Sequence, residues 1–440
     1  MTMLAVLVLS LAGCQWGASP PAPKLIVVGI DGLGVGMLER LAKDNRAPNL
    51  TGLAREGVFT QLQNIQPVIS PVVWASIATG KRPKKHGVDG WYSETDGSQR
   101  IVDARDIKVR RYWEILDERG VKCNTFAWLS LFPVIPGKGV TVASDYLWDR
   151  NLINDVDSTS ILTGEELKYA ISPVDLAKPL LAQRLPVQDG RDSPLGYQFP
   201  ITPLEDHPML RDQWTISAAV AVQARAPADV VSLYVKGIDE LSHVFLPFTD
   251  AAFRAAVERD PRMYARSTAS IPGVSLPWQG ETITLEQSQL AARVVDDYAA
   301  WLDGALAPVL ALRGPETNVI IVSDHGMLLE QVETAPNGDA GVPRPEHDPI
   351  ATLILAGPAF KKAGHVASPS VIDVTPTILH LLGQPVPSDM DGRVLTEVLA
   401  AGTPVQTVPT YETSPRALPE VPHHENDAEM ERLRALGYTQ

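Results

Sequence analysis

Apolar residues fall in five continuous runs, at positions 25–30, 121–128, 230–235, 318–322 and 352–355. Short unbroken runs of this kind predict strands covered on both faces, as in a buried parallel sheet. Between them the apolar spacing changes to the three-and-four repeat of a helix, over positions 34–43, 109–119, 212–224 and 285–312. Strands alternating with helices predict an α/β fold, a doubly wound and mainly parallel sheet with helices on both faces. No solenoid-type repeat interrupts the alternation. Two stretches do break it. Residues 146–210 are rich in Asp, Pro and Leu, and residues 246–281 carry Pro247, Pro261, Pro272 and Pro277. Segments this long without a period are usually functional insertions, and both are expected to cap the site. The main domain is thus expected over 24–400. A Pro/Thr-rich extension follows from 401, with a short amphipathic helix at 428–436 near the end of the chain at 440.

Composition narrows the function. The chain has 38 Lys+Arg against 52 Asp+Glu, a net charge of −14. Without a basic surplus to meet a phosphate backbone, nucleic-acid binding is not expected. Two cysteines exclude a disulfide scaffold and a Cys-rich zinc module. The run from Met3 to Ala12 is too short to span a bilayer, which takes roughly 20 residues, and it suits the core of an export signal. It ends in Leu11-Ala12-Gly13-Cys14, which resembles a bacterial lipobox. That resemblance implies a signal peptide at 1–13, a lipidated Cys14 on the membrane and a tether at 14–23. The protein would then face the periplasm or the cell exterior. Met1-Thr2-Met3 lacks the positive charge with which signal peptides usually start. Cys123, inside a strand run, reads as a small buried hydrophobe and carries no role.

Three strand runs finish in acids: Ile30 leads to Asp31-Gly32, Val235 leads through Lys236-Gly237-Ile238 to Asp239, and Val322 leads through Ser323 to Asp324-His325-Gly326. In open parallel sheets the carboxyl ends of the strands are where ligands bind, so these groups are expected to converge. Each one alone could be a helix cap or a turn residue. His243 follows Asp239 by four residues, one helical turn, so both can reach one ion. His347 precedes the last strand run. Asp and His without Cys suit zinc, with manganese or iron less specific alternatives. His86 reads as a loop brace and His380 as a helix-packing residue.

Residues 67–80, Pro-Val-Ile-Ser-Pro-Val-Val-Trp-Ala-Ser-Ile-Ala-Thr-Gly, predict a helix with Ser70 at the N-cap, Pro71 at the first helical position and Gly80 at the stop. Ser70 is then either a simple cap or a hydroxyl facing free backbone N–H groups, a seat for a phosphoryl oxyanion. A neighbouring metal would lower the hydroxyl pKa without a His base.

Together these residues resemble the type I phosphodiesterase/nucleotide pyrophosphatase branch of the alkaline phosphatase superfamily. The resemblance covers residues 24–395. It is carried by Ala47-Pro48-Asn49-Leu50, Leu53-Ala54-Arg55-Glu56-Gly57, the Ser70 segment, Lys84-Lys85-His86-Gly87, Asp239 to His243, Ser323-Asp324-His325-Gly326 and Asp373-Val374-Thr375-Pro376-Thr377. It implies an alkaline-phosphatase-like fold with cap insertions and two zinc ions. One ion would sit on Asp239, His243 and His347, the other on Asp31, Asp324, His325 and the Ser70 oxygen. It also implies attack by Ser70 on a small phosphate ester, preferentially a diester, with a phosphoseryl enzyme that water then cleaves. Two departures stand out. Ser70 replaces the Thr of the nucleotide-cleaving members, and Val73 replaces their oxyanion-binding Asn. A sulfatase of the same superfamily would need an Arg four residues after its nucleophile, where Trp74 stands here. A monoesterase would want more cationic charge near Ser70. Phosphonate hydrolysis stays open. From another class, a non-catalytic surface lipoprotein is disfavoured because all seven ligand positions hold ligand-competent residues. The oligomeric state is not legible.

Overall fold

The first apolar run forms the centre of the sheet. β1 (Leu25–Ile30) is buried at every position, which requires cover on both faces. The protein is represented by a computed structural model that describes residues 20–95, 98–144, 164–176, 179–180, 208–260, 285–330, 343–400 and 402–421. The other main strands are β2 (Val58–Gln63), β3 (Cys123–Phe126), β4 (Thr141–Val142), β5 (Ile171–Ser172), β6 (Val230–Val235), β7 (Asn318–Val322), β8 (Gly326–Glu330), β9 (Arg344–Asp348) and β10 (Ile350–Ala356). Eight of them form one sheet in the order β2-β10-β7-β1-β6-β3-β4-β5. The middle five, β7 to β4, run parallel. Antiparallel pairs close both margins, with β10 against β7 and β2 and β5 against β4.

The strand pattern was legible where burial is complete. β1, β6 and β7 have the bounds read from their apolar runs, whereas the run at 121–128 yields only the four residues of β3. β2 and the β8–β9 ribbon were not anticipated, because their residues alternate between buried and exposed or are largely polar. The helical run at 285–312 is three pieces, Leu285–Ala291, Val294–Ala305 and Ala307–Leu310. Pro308 lies in the first turn of the last piece, where its missing N–H is tolerated.

The described parts of the two insertions differ in place. Residues 146–210 contribute the edge strand β5. From 246–281, the turn Leu246–Thr249 lies against both strands of the β8–β9 ribbon and is followed by the helix Ala251–Arg259. The extension is fastened to the domain. Thr407–Val408 pairs with Val386–Pro387, and Glu412 accepts from the backbone and guanidinium of buried Arg110 at 2.9 and 3.0 Å. Cys14 and the expected helix at 428–436 lie outside the described residues. Among the described residues, no helix is long and apolar enough to cross a membrane.

The sheet order places the chemistry. β7, β1 and β6 are immediate neighbours in register, with Gly29 opposite Val322 and Ile30 opposite Val235. Their carboxyl ends therefore emerge side by side. Gly32 follows with φ +76°, and a Cβ there would stand 2.9 Å from Asp239 Cα. Only glycine suits both the backbone angle and this approach.

Candidate active site

Asp31 and Asp324 leave the ends of β1 and β7, while Asp239 and His243 lie on the helix Gly237–Phe245 that follows β6. His347 lies on β9, directly opposite Met327 of β8. The three aspartates are no more than 5 % exposed and His325 is fully buried. Asp239 is the hub. Its Oδ1 stands 3.3 Å from His243 Nε2, 3.5 Å from His347 Nε2 and 3.9 Å from His325 Nε2. His325 Nε2 is also 3.3 Å from Asp31 Oδ1, 3.2 Å from Asp324 Oδ2 and 3.4 Å from Ser70 Oγ. All seven residues singled out in the sequence thus lie in one contiguous cluster.

Two groups have ligand atoms within 4.8 Å of one another: Asp239 with His243 and His347, and Asp31 with Asp239 and His325. The first is the set implied by the family resemblance. In the second, Asp239 rather than Asp324 completes the group, and Asp324 lies beside it.

The donor chemistry fits cations. His347 Nδ1 donates to the Val68 carbonyl at 3.1 Å and His325 Nδ1 donates to the Gly326 carbonyl at 2.9 Å. In the neutral ring, both tautomers therefore present an Nε2 lone pair to the cluster, as metal-ligating histidines do. The Nε2 atoms of His243 and His347 face each other at 3.1 Å. Asp31 Oδ1 and Asp324 Oδ2 are buried without a hydrogen-bond donor. Burying charged oxygens unpaired is costly, and a cation removes that cost.

Titration behaviour follows the same crowding. Burial, with the charge of Asp239 behind it, pushes the Asp31 carboxyl up to about 7. Burial and the charges of Asp31 and Asp239 drive Asp324 well above the usual carboxylate range. Burial also acts upward on Asp239, but the His243 and His347 imidazoles outweigh it and hold that carboxyl well below its ordinary value. Burial pushes His325 down to about 3, so its imidazole is neutral.

Ser70 differs in one respect from the expectation. The N-cap is Ile69, with extended backbone, and Ser70 is the first residue of the helix Ser70–Thr79. The Ile69 carbonyl already accepts from the Val72 and Val73 amides at 2.9 and 3.0 Å, and Pro71 has no N–H. The helix end therefore offers fewer free donors than the sequence implied. The Ser70 hydroxyl makes no capping bond; it is 2 % exposed and turned to His325.

Several motifs serve the scaffold around the site. Asp303 accepts from the Asn49 and Leu50 amides at 3.1 and 2.7 Å and so caps the helix Pro48–Glu56. Asp373 accepts from the Ser370 and Arg393 amides, each at 2.8 Å. His86 is the expected brace. Its Nε2 meets Ser76 Oγ, on the Ser70 helix, at 2.8 Å, and its Nδ1 accepts from the Val88 amide at 3.2 Å. Burial holds His86 down to about 4, against 6.5 in the free side chain. The unfolded chain therefore binds the extra proton between these values. Stability linked to His86 is complete above pH 6.5 and is lost as pH falls toward 4, by up to about 3 kcal/mol. Denaturant unfolding across that window is expected to lose more stability with falling pH in the wild type than in His86→Asn. Equal slopes would show that His86 is not the titrating group.

Three neighbours of the site were not assigned their contacts with it from the sequence. Trp74 and Tyr234 both donate to Asp31 Oδ2, and Asn64 Nδ2 donates to the Asp324 carbonyl at 2.6 Å. Trp74 lies four residues after Ser70, a spacing that places it on the same helix face. Tyr234 and Asn64 have no comparable signal.

Among known proteins, the chain is 32% identical over 122 residues to the 2,3-bisphosphoglycerate-independent phosphoglycerate mutase of Cereibacter sphaeroides, covering 27% of this chain and 21% of the mutase. It is 31% identical over 140 residues to the corresponding mutase of Microcystis aeruginosa, covering 29% and 24%. The match thus spans about a quarter or less of the length of these curated relatives. Similar solved structures include a phosphonoacetate hydrolase from Sinorhizobium meliloti in complex with phosphonoformate, at 16% identity and TM-score 0.41, covering 73% of this chain and 59% of that one. A 2-O GAG sulfatase is similar at 15% identity and TM-score 0.44, covering 86% and 73%. The sequence model described as type I phosphodiesterase / nucleotide pyrophosphatase matches residues 25–346, well over half of the chain. The chain therefore belongs to the type I phosphodiesterase / nucleotide pyrophosphatase family, as its motifs implied.

Proposed function

We propose that the protein is a metal-dependent hydrolase of phosphate esters, preferring diesters and working through a phosphoseryl intermediate on Ser70. One observation carries this reading. A buried serine hydroxyl with no capping role stands 3.4 Å from His325, at the edge of a cluster of metal-competent groups. Zinc is the metal proposed, on Asp239, His243 and His347 at one position and on Asp31, Asp324, His325 and Ser70 at the other. When bound, such ions would supply positive charge that lowers the serine hydroxyl pKa and neutralises the ester. The chain supplies the rest. Ser70 Oγ is the nucleophile, and its helix holds it rigidly at the carboxyl edge of the sheet. The ester phosphorus accepts the Ser70 oxygen as the alcohol departs, and water later restores the free hydroxyl.

Charge supports the diester preference. Three aspartates and two zinc ions sum to +1 before Ser70 ionises, which suits an anionic ester of low charge even in a chain of net charge −14. Among the described residues, no Arg hydrogen-bonds to Ser70 to add the charge that a dianionic monoester or a sulfate would draw on. Val73, in the position of the Asn of nucleotide-cleaving members, points away from a nucleotide substrate. Export and anchoring through a lipidated Cys14 are proposed with it, on the Leu11-Ala12-Gly13-Cys14 motif alone. The test is a panel of p-nitrophenyl diester, monoester, sulfate and phosphonate with the zinc-replete protein. The diester is expected to be turned over fastest, and a faster sulfate or monoester would overturn the assignment.

A further inference from the structure

Asp31 is held by one oxygen only. Trp74 Nε1 donates to its Oδ2 at 3.1 Å and the Tyr234 hydroxyl donates to the same atom at 2.5 Å. Oδ1 receives no donor and faces His325 Nε2 at 3.3 Å. Two converging donors stop the carboxylate from rotating about its own axis and leave one oxygen turned to the cluster.

The donors are themselves locked. The Trp74 ring meets Trp128 edge to face at 5.3 Å and Tyr234 at 4.9 Å. The Trp128 indole donates to Ser232 Oγ at 2.6 Å, which also meets the Tyr112 hydroxyl at 2.5 Å. Beneath the indole lies Gly29, where a Cβ would come within 2.9 Å of the ring. Each member of this layer thus fixes the next, and the layer lies between the central strands and the Ser70 helix. Trp74 and Ser70 are one turn apart on that helix, so the indole connects the nucleophile's own helix to Asp31.

We propose that Trp74 and Tyr234 are positioning residues that set Asp31 as a one-oxygen metal ligand, Trp74 also tying the Ser70 helix to that ligand. The proposal rests on the metal-dependent reading above. Partners of this kind typically contribute 10- to 100-fold in metal affinity or activity.

The experiment uses Trp74→Phe and Tyr234→Phe, which keep an aromatic ring and delete one donor each. Zinc affinity is read by competition with a chromophoric chelator, beside the unfolding midpoint of the metal-free protein. Each substitution is expected to weaken the affected zinc site by about 10-fold or more. At saturating zinc, Trp74→Phe is expected to lower kcat with KM unchanged. A role in packing alone would lower the metal-free midpoint and leave zinc affinity at the wild-type value. That result in both variants overturns the proposal. If Trp74→Phe does not fold, Tyr234→Phe decides it alone. Wild-type protein that binds no zinc would instead overturn the metal-dependent reading itself, so the two failures are distinct.

Discussion

Ser70→Ala abolishes turnover of an activated phosphodiester, lowering kcat by at least about 10³-fold, while the protein stays folded and keeps bound metal. The size follows from the chemistry. A covalent route needs an oxygen on the protein to accept the phosphoryl group, and alanine has none. The helix loses little, because the hydroxyl makes no capping bond and Ile69 occupies the N-cap. Stability is expected to change by about 1 kcal/mol or less. The six Asp and His groups remain to hold metal. Steady-state kinetics with zinc analysis of the same preparation checks both halves. Turnover near the wild-type rate would show that water attacks directly and that Ser70 only lines the site.

Asp239→Asn gives the second large effect, a loss of zinc affinity of more than about 100-fold at the position shared with His243 and His347 and a smaller loss at the neighbouring one. Asn keeps the shape and removes the charge on which His243, His347 and His325 converge at 3.3, 3.5 and 3.9 Å. Asp239 also belongs to both groups of mutually close ligand atoms, so one substitution touches two positions. An amide NH₂ turned to the imidazoles would repel the metal rather than bind it. Chelator competition measures the change. Wild-type affinity in Asp239→Asn would remove this residue from the ligand set.

What could be read from the sequence divides along a physical line. Fully buried strands announce themselves, and β1, β6 and β7 emerge with their bounds intact because every side chain in β1 and β6 is apolar enough for the core or satisfied within it. The acids at their ends were legible for the same reason, since the strand end tells where the next residue points. The adjacency of β7, β1 and β6 was not, because strand order is a long-range property with no local pattern. The β8–β9 ribbon that carries His347 was also hidden, as Arg344-Pro345-Glu346-His347-Asp348 has no apolar repeat. Ser70 was legible as a helix start, but its place in the first turn depends on Ile69 taking the extended conformation. The clasp on Asp31 joins residues 31, 74 and 234, and only the fold brings them together.

The most direct test of the account is a zinc titration of the metal-stripped wild-type protein, following diester turnover and bound metal together. The account predicts negligible turnover without metal and activity that rises to a plateau as two zinc ions bind per chain. Full activity in the stripped protein, or no zinc bound after repletion, would contradict it.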